Sequence, residues 1–361
     1  MEKLNIGIIG CGIISKIYAT NLSQRFEGVR LAAFADLDLE KARARAEAYP
    51  GTRVLEVDAL LADPEIDIVV NLTVPAAHFT VAKRALEAGK SVYNEKPLTL
   101  KREEGKTLLA LAAEKGLRVG CAPDTFMGAG LQTCRKLIAD GVIGEPVGAQ
   151  AFMLSRGVEE WHANPEFYYK PGGGPVFDMG PYYITALVAL LGPVRRAFGV
   201  ARKSFDTRLI RSEPYRGQVI DVEIPTHVLS TLEFAGGVPA TFAASFDVWG
   251  SQVPRIEIFG SEASLSVPDP NHFGGPVLLR RARTKEWEEV SLVPGFAENS
   301  RGLGVAEMAD AIRAGRRHCA DGALAYHVLD VMHAIHAAAA AERWAELESR
   351  CEAPGEVPVK L

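Results

Sequence analysis

The most constraining feature of this sequence is a glycine turn set between a short apolar run and a helical pattern near its start. Residues 4–9 read as a β-strand, Gly10-Cys11-Gly12-Ile13-Ile14-Ser15 follows directly, and residues 13–24 have helical periodicity. Such a turn lets a dinucleotide pyrophosphate approach the backbone and meet free N–H groups at a helix start. The turn therefore predicts the first unit of a dinucleotide-binding fold.

Each position of the turn has a predicted task. Gly10 makes the tight bend, Gly12 leaves room for the pyrophosphate, and the helix start at Ile13 and Ile14 offers N–H groups to its negative charge. Ser15 stands where a third glycine is usual, and a small residue can fill that packing position.

The first 122 residues alternate strand-like and helix-like segments, which is typical of βαβ units around a parallel sheet. The predicted strands after the first are 29–35, 67–72, 91–93 and 118–121, with a weaker one at 53–57, and the predicted helices are 39–48, 76–88 and 102–115. We predict a doubly wound, Rossmann-type α/β domain over residues 1–122.

The pattern changes after residue 146, where β-type runs follow one another with few helices. The runs are 147–154, 196–203, 226–233, 240–248, 255–259 and 277–279, and helical patterns at 304–314 and 325–347 close the chain. This order predicts a second, α+β domain over residues 123–361 with a large, mostly antiparallel open sheet. A length of 361 residues suits two domains.

Asp36 ends the second predicted strand, where a carboxylate can accept hydrogen bonds from the adenosine ribose hydroxyls. Its charge would repel a 2′-phosphate, which favours NAD over NADP, although Lys41 and Arg43 keep NADP use open. The alternative is that Asp36 only caps the next helix.

Glu95-Lys96-Pro97 follows the strand at 91–93, at the sheet edge where such folds bind ligands. A lysine there can reach the nicotinamide, whose positive ring, with partial burial, would lower the lysine pKa from its ordinary ~10.4. Lys96 is therefore a candidate proton acceptor. The alternative is a surface lysine paired with Glu95.

Two further segments are candidates for substrate binding. Trp161 and His162 begin an aromatic stretch that suits stacking on a sugar ring, or equally a contact with a neighbouring subunit. Asp124 and Thr125 follow the sixth predicted strand, which places them at the same sheet edge for contacts with substrate hydroxyls.

Charge and hydropathy argue against other classes of partner. Lys and Arg number 40 against 45 Asp and Glu, and a net charge of −5 does not favour nucleic acid. The basic segment 194–218 is interpreted as a solvated strand and loop. The longest apolar run, 184–191, is shorter than the ~20 residues of a membrane helix. The N-terminal segment has no signal-peptide pattern, so a cytoplasmic location is expected.

Metal and nucleophile chemistry are not expected either. His327, Asp330, His333 and His336 recur every third residue of a helix, which spreads them over half its circumference. The five cysteines form no paired motif and are expected to be free thiols, and no GxSxG sequence is present.

Taken with these motifs, the sequence resembles the Gfo/Idh/MocA oxidoreductases over nearly its whole length. The resemblance rests on Gly10-Cys11-Gly12, on residues 73–78 (TVPAAH), on residues 88–97 (AGKSVYNEKP) and on residues 172–180 (GGGPVFDMG). It implies dehydrogenation of sugars, cyclitols or their derivatives with NAD(P), and a second domain used for homodimer or homotetramer contacts. It also implies that Lys96 is functional and that Thr73, Pro75, His78 and Glu95 lie at the cofactor. For His78 the favoured alternative is a hydrogen-bonded structural residue at a helix start.

The resemblance breaks down at a later motif. Members of that family commonly have an Asp and a His at the substrate, and here Asp178 matches while Tyr182 replaces the His and Thr185 replaces a later acid. Either a neutral Lys96 takes the hydroxyl proton, or a charged Lys96 lowers the pKa of Tyr182 so that its phenolate does. The resemblance implies that Asp178 is a catalytic residue as well as a substrate ligand, and His162 is a reserve candidate for the base.

These features predict an NAD-dependent dehydrogenase that moves a hydride from a ring carbon bearing a hydroxyl in a small polyhydroxylated substrate. Two alternatives stay open. One is a non-redox enzyme that retains NAD and uses transient oxidation for elimination or glycoside cleavage. The other is a catalytically silent protein that binds NAD or sugar.

Overall fold

The computed structural model of the protein describes residues 3–355 and 357–358. These residues form two compact units. The first comprises the chain up to Ala129, Pro294–Tyr326 and the described residues from Pro354 onward, and the second comprises Gly130–Val293 and His327–Ala353. The domain boundary predicted between residues 122 and 123 is not tested by this division and stays a prediction.

The first unit is built on a parallel sheet. Its strands are β1 (Leu4–Ile9), β2 (Val29–Ala35), β3 (Arg53–Val54), β4 (Ile68–Asn71), β5 (Ser91–Asn94) and β6 (Val119–Cys121). They lie in the order β3-β2-β1-β4-β5-β6, and every neighbouring pair is parallel. The strand order reverses between β1 and β4, the switch point at which doubly wound sheets bind ligands.

Five helices among the described residues of this unit connect consecutive strands of the sheet. They are α1 (Ser15–Gln24), α2 (Leu39–Ala46), α3 (Val57–Ala62), α4 (Pro75–Glu87) and α5 (Arg102–Lys115). Pro75 lies in the first turn of α4, where its missing N–H has no cost. Gly116 ends α5 with a φ of 65°, a conformation that glycine adopts easily.

The second unit contains a sheet of nine strands among the described residues. Its elements up to residue 290 are α6 (Ala129–Ala139), β7 (Pro146–Leu154), α7 (Pro175–Leu191), β8 (Val194–Arg202), β9 (Thr207–Leu209), β10 (Val219–Asp221), β11 (His227–Phe234), β12 (Pro239–Ser245), β13 (Ile256–Gly260), β14 (Ala263–Val267), β15 (Val277–Arg281) and β16 (Glu288–Val290). β9 and β10 form a separate hairpin.

The chain closes with α8 (Leu303–Ala314), α9 (Gly322–Ala341) and β17 (Ala345–Glu346). The nine-stranded sheet has the order β16-β15-β14-β13-β7-β12-β11-β8-β17 and is antiparallel except between β7 and β12. α7 covers it by packing against β7, β11 and β12, and most of its residues are buried.

The predicted fold class is confirmed, and the local differences have physical reasons. The helix expected up to residue 347 ends at Ala341, because Glu342 has a positive φ and Ala345–Glu346 pairs with β8. The sequence did not predict α3, α6, α7 or the short strands β9, β10, β14 and β16, and the weaker strand expected over 53–57 ends at Val54 because Val57 begins α3. Within the described residues, no helix is long and apolar enough to cross a bilayer.

Candidate functional site

The turn after β1 combines one glycine that the backbone needs with one that leaves space. Gly10 has a φ of +102°, and a Cβ there would lie 2.6 Å from the carbonyl carbon of Leu72. A Cβ on Gly12 would meet no atom within 4 Å. The first glycine therefore permits the bend, while the second leaves open space beside the backbone, as a bound pyrophosphate requires.

Ser15 fills the position at which a third glycine is usual in this turn. Its side chain is fully buried, and its Oγ donates to the carbonyl of Gly12 at 2.7 Å. The helix therefore begins against the turn, and the N–H groups of Ile13 and Ile14 precede its regular hydrogen-bonding pattern.

Asp36 is bound to the same turn from the end of β2. Its Oδ2 accepts from the N–H of Cys11 at 2.7 Å and its Oδ1 from the N–H of Asp38 at 2.9 Å. Asp38, not Asp36, caps α2, through an acceptor bond from Glu40 N at 3.1 Å. The capping alternative for Asp36 is therefore wrong.

Burial and the Asp36 carboxylate together raise the pKa of the Cys11 thiol to about 12, so this thiol stays protonated at neutral pH.

Large apolar side chains are exposed at the ends of three adjacent strands. Ile13 after β1 is 87% exposed, Leu37 after β2 is 98% exposed and Val74 after β4 is 67% exposed. Solvent contact of this extent is unfavourable for such side chains unless a ligand covers them. The open glycine turn, Asp36 and these exposed apolar side chains fit a bound adenine dinucleotide.

A hydrogen-bonded network fixes the loops after β4 and β5. Asn71 Nδ2 donates to Asn94 Oδ1 at 3.0 Å, and Thr73 Oγ1 donates to Asn71 Oδ1 at 2.6 Å. His78 is fully buried and lies with Nδ1 2.6 Å from the carbonyl of Pro97 and Nε2 3.1 Å from that of Thr73. Burial lowers the pKa of His78. The His78 side chain links the loop after β4 to the loop after β5 through the carbonyls of Thr73 and Pro97. Its contact with the cofactor stays a prediction.

Glu95 anchors the loop that carries Lys96. The Glu95 side chain is buried, its Oε1 accepts from the Tyr18 hydroxyl at 2.9 Å, and its Oε2 accepts from the backbone N–H of Lys96 at 2.9 Å. Lys96 itself is half-buried. The alternative in which the Lys96 side chain pairs with Glu95 stays open. Tyr18 belongs to the site although the sequence analysis did not identify it.

Asp124 and Thr125 lie after β6, where the sequence placed them, but both are buried. Asp124 Oδ2 accepts from Gly302 N at 2.9 Å and from Gly304 N at 3.0 Å, which caps the start of α8. Burial, with Glu95 nearby, raises the Asp124 pKa to about 6. The structure gives Asp124 this capping task, and its contact with a substrate hydroxyl stays a prediction.

In the second unit, Asp178 and Tyr182 lie four residues apart on α7, so they share one face of the helix. Asp178 is half-buried and lies in the first turn, while Tyr182 is buried. Their predicted roles as substrate ligands stay predictions.

The aromatic stretch forms a cluster of rings. Trp161 is 69% exposed, and the His162 ring packs edge-on against Trp161 and Tyr168 at centroid distances of 5.4 and 5.0 Å. His162 Nδ1 accepts from Asn164 N at 3.0 Å. A sugar ring can stack on the exposed Trp161 face, and so can a neighbouring subunit.

A buried ionic cluster supports this stretch. Arg208 Nη1 donates to Glu159 Oε1 at 3.0 Å, and its Nη2 pairs with Asp247. Because the Arg208 side chain is only 2% exposed, the interpretation of residues 194–218 as wholly solvated is wrong at this position. The partners are distant in sequence, so the local pattern gave no signal of the pairing.

The helical histidines have structural partners. His327 Nε2 accepts from Val194 N at 2.9 Å, and Asp330 Oδ2 accepts from Ser349 N at 3.0 Å. Among the residues that the structure describes, no three His, Cys, Asp or Glu side chains are arranged to hold a metal ion.

Two domain models of one protein family match this chain. Residues 4–122 match the oxidoreductase family with a NAD-binding Rossmann fold, GFO/IDH/MocA. Residues 131–266 match the GFO/IDH/MocA C-terminal domain.

Individual relatives are similar at moderate identity. An uncharacterized oxidoreductase of Schizosaccharomyces pombe is 31% identical over 202 residues, 53% of this chain and 53% of that protein, so the match spans about half of that relative. The inositol 2-dehydrogenase of Rhizobium meliloti is 31% identical over 263 residues, 73% of this chain and 75% of the relative.

Among solved structures, levoglucosan dehydrogenase in complex with NADH and levoglucosan has a TM-score of 0.82 at 21% identity, covering 96% of this chain and 100% of that chain. At that identity the likeness establishes the fold alone.

Proposed function

Because this chain belongs to the Gfo/Idh/MocA family of NAD-binding oxidoreductases, we propose that it oxidises a ring C–OH group of a sugar-like or cyclitol-like substrate with NAD, or runs the reverse reduction. The predictions of the family, of a NAD-binding Rossmann domain and of the dehydrogenase class are confirmed by the family matches. The inositol dehydrogenase relative supports a polyhydroxylated ring as substrate.

The observation that carries the proposal is the open glycine turn with Asp36 bound beside it. We assign pyrophosphate binding to the backbone of the turn and ribose binding to Asp36. The remaining contacts are assigned to the loops after β4 and β5, through Thr73, Pro75, His78, Glu95 and Lys96. Lys41 and Arg43 pair with Asp38 and Glu40 on their own helix, which supports NAD over NADP.

When bound, NAD supplies the acceptor for a hydride. The protein must then remove the proton of the reacting hydroxyl and hold the ring in place. We propose that the neutral amine of Lys96 accepts this proton, since Glu95 holds the Lys96 backbone and Tyr18 holds Glu95. Asp178 and Tyr182 are proposed to bind substrate hydroxyls.

Two other bases are less favoured by the observed contacts. His162 Nδ1 already accepts a hydrogen bond from Asn164 N, and its Nε2 lies 3.5 Å from the Tyr168 hydroxyl. Tyr182 is buried whereas Lys96 is half-buried, so the lysine is the more accessible of these two side chains.

The proposal is tested by incubating the purified protein with NAD or NADP and a panel of inositols, anhydrosugars, free sugars and glycosides, and following the absorbance of reduced cofactor. Stoichiometric NADH formation with one ring class supports the dehydrogenase. Turnover of a glycoside without net NADH would instead establish the non-redox alternative. Binding of NADH without turnover of any panel member would favour the silent binding protein.

We also propose that the protein is a homo-oligomer that pairs through the nine-stranded sheet. Val200 on β8 and Leu229 on β11 are exposed and lie opposite each other in the strand register, so they share one face of the sheet. Such an apolar patch is suited to a second copy of the chain. Light scattering coupled to gel filtration tests this, with Leu229→Asp expected to shift the mass toward the monomer.

A further inference from the structure

One basic side chain of α2 reaches the phosphate-binding turn. Arg45 Nη2 donates to the carbonyl oxygen of Gly12 at 3.1 Å. Its Nε is buried and has no hydrogen-bond partner among the described residues. A guanidinium is therefore held against the turn while part of its donor capacity stays unused.

The neighbouring cations of α2 are used differently. Lys41 pairs with Asp38 at 3.9 Å, and Arg43 pairs with Glu40, each within the same helix and largely exposed. Arg45 is thus distinguished from them by its contact with another element, and its charge is directed at the turn.

A second contact between these segments fixes the geometry. The Tyr49 hydroxyl lies 3.2 Å from the carbonyl oxygen of Lys16 and 2.8 Å from Thr20 Oγ1. Tyr49 lies three residues beyond the end of α2, so its contacts tie the segment that follows Arg45 to α1. This anchoring limits the freedom of Arg45 to swing away from Gly12.

The Gly12 carbonyl receives several donors at once. Besides Arg45, it accepts from Ser15 N at 3.2 Å and from Ser15 Oγ at 2.7 Å. The same peptide unit ends in the N–H of Ile13, one of the free donors at the helix start. A charged hydrogen bond to a carbonyl polarises its peptide and strengthens the N–H on the other side, by roughly 10–30% per bond.

We propose that Arg45 is a positioning residue for the pyrophosphate of the dinucleotide. It holds the turn through Gly12, polarises the Gly12–Ile13 peptide and adds positive charge beside the phosphates, while it does not read the ribose 2′-position. The inference deepens the proposed function, because it concerns the binding of the same cofactor.

The test compares Arg45→Met with Arg43→Met, a matched loss of one exposed cation from the same helix. Affinities for NADH, ADP-ribose and adenosine are measured by calorimetry, and NADPH is titrated separately to test the ribose 2′-position. We expect Arg45→Met to weaken NADH and ADP-ribose about tenfold, as for a lost charge-assisted contact, and to leave adenosine binding unchanged. Arg43→Met should leave all three affinities unchanged.

Two further readouts separate this role from a purely structural one. The affinity of Arg45→Met for ADP-ribose should depend less on ionic strength than that of the natural protein, because one charge near the phosphates is gone. Arg45→Lys, which keeps the charge, should recover part of the loss. Thermal unfolding checks that each variant is folded.

Three results would overturn the inference. They are unchanged affinity for ADP-ribose, an equal loss for adenosine, or a loss confined to NADPH, which would mean that Arg45 reads the 2′-phosphate. In each of these cases the proposed function would still hold if the natural protein bound NADH. If the natural protein bound neither NADH nor ADP-ribose, both proposals would fail.

Discussion

The Tyr18 hydroxyl donates a 2.9 Å hydrogen bond to Glu95 Oε1, and both side chains are buried. The bond joins the helix after the glycine turn to the loop that carries Lys96. The two parts of the proposed cofactor site are therefore coupled through one buried pair. Burial and the Glu95 carboxylate raise the pKa of Tyr18 far above its ordinary value, so the hydroxyl remains the donor.

Tyr18→Phe should leave Glu95 Oε1 without this buried donor. We expect a loss of ~1–3 kcal/mol in the free energy of unfolding and a lower turnover, because the Lys96 loop loses one restraint. Urea denaturation and steady-state kinetics measure the two effects. Tyr183→Phe also removes a buried hydroxyl, which accepts from Arg255 in the second unit, and should leave turnover unchanged. Equal turnover in the natural protein and Tyr18→Phe would contradict the coupling.

Alanine substitutions at Gly10 and Gly12 should have different effects, the first on protein stability and the second on NADH affinity. Gly10→Ala should destabilise the protein by at least ~1–3 kcal/mol, because of its positive φ and the contact with Leu72. Gly12→Ala should fold normally, since its Cβ meets open space, but should lose NADH affinity about tenfold or more. Thermal unfolding and calorimetric titration check both. Normal NADH binding by folded Gly12→Ala would contradict the assignment.

Stability should depend on pH through Asp124. Its pKa of about 6 in the folded protein exceeds the ordinary value of 3.8, so the folded state holds this proton more tightly than the unfolded chain does. The stabilisation is present below about pH 4 and is lost as the pH rises through about 6. A shift of this size corresponds to roughly 3 kcal/mol.

Asp124→Asn should remove this component while its amide oxygen can still accept from Gly302 and Gly304. Urea denaturation between about pH 4 and pH 7 compares the slopes of stability against pH. Asp140→Asn, at an exposed ion pair with Lys136, is the control and should keep the natural slope. An unchanged slope in Asp124→Asn would show that another group carries the effect.

Two variants distinguish the candidate bases. Lys96→Ala should lower turnover by ~10²–10⁴, the usual contribution of a general base, whereas Tyr182→Phe should lower it only a few-fold. Turnover of the substrate found in the panel, measured across pH at saturating cofactor, makes the comparison. If Tyr182→Phe falls as far as Lys96→Ala, the phenolate mechanism replaces the one proposed here.

The parts of the fold and site that depend on local pattern were predictable. The glycine turn, Asp36 and the alternation of strands and helices along the first unit follow from residues adjacent in sequence, as does the strand after which Lys96 lies. Contacts between distant residues were not predictable. Arg45 with Gly12 and Arg208 with Glu159 and Asp247 become neighbours only when separate elements pack together.

The single parallel pairing in the nine-stranded sheet has a consequence for biosynthesis. β7 is the first strand of its sheet to leave the ribosome, yet it lies between β12 and β13, which are made much later. Both edges of β7 must therefore stay unpaired while the intervening chain is translated. Contacts of such long sequence separation slow folding and expose the nascent strand to aggregation. Chaperone demand during expression should thus arise chiefly from this segment.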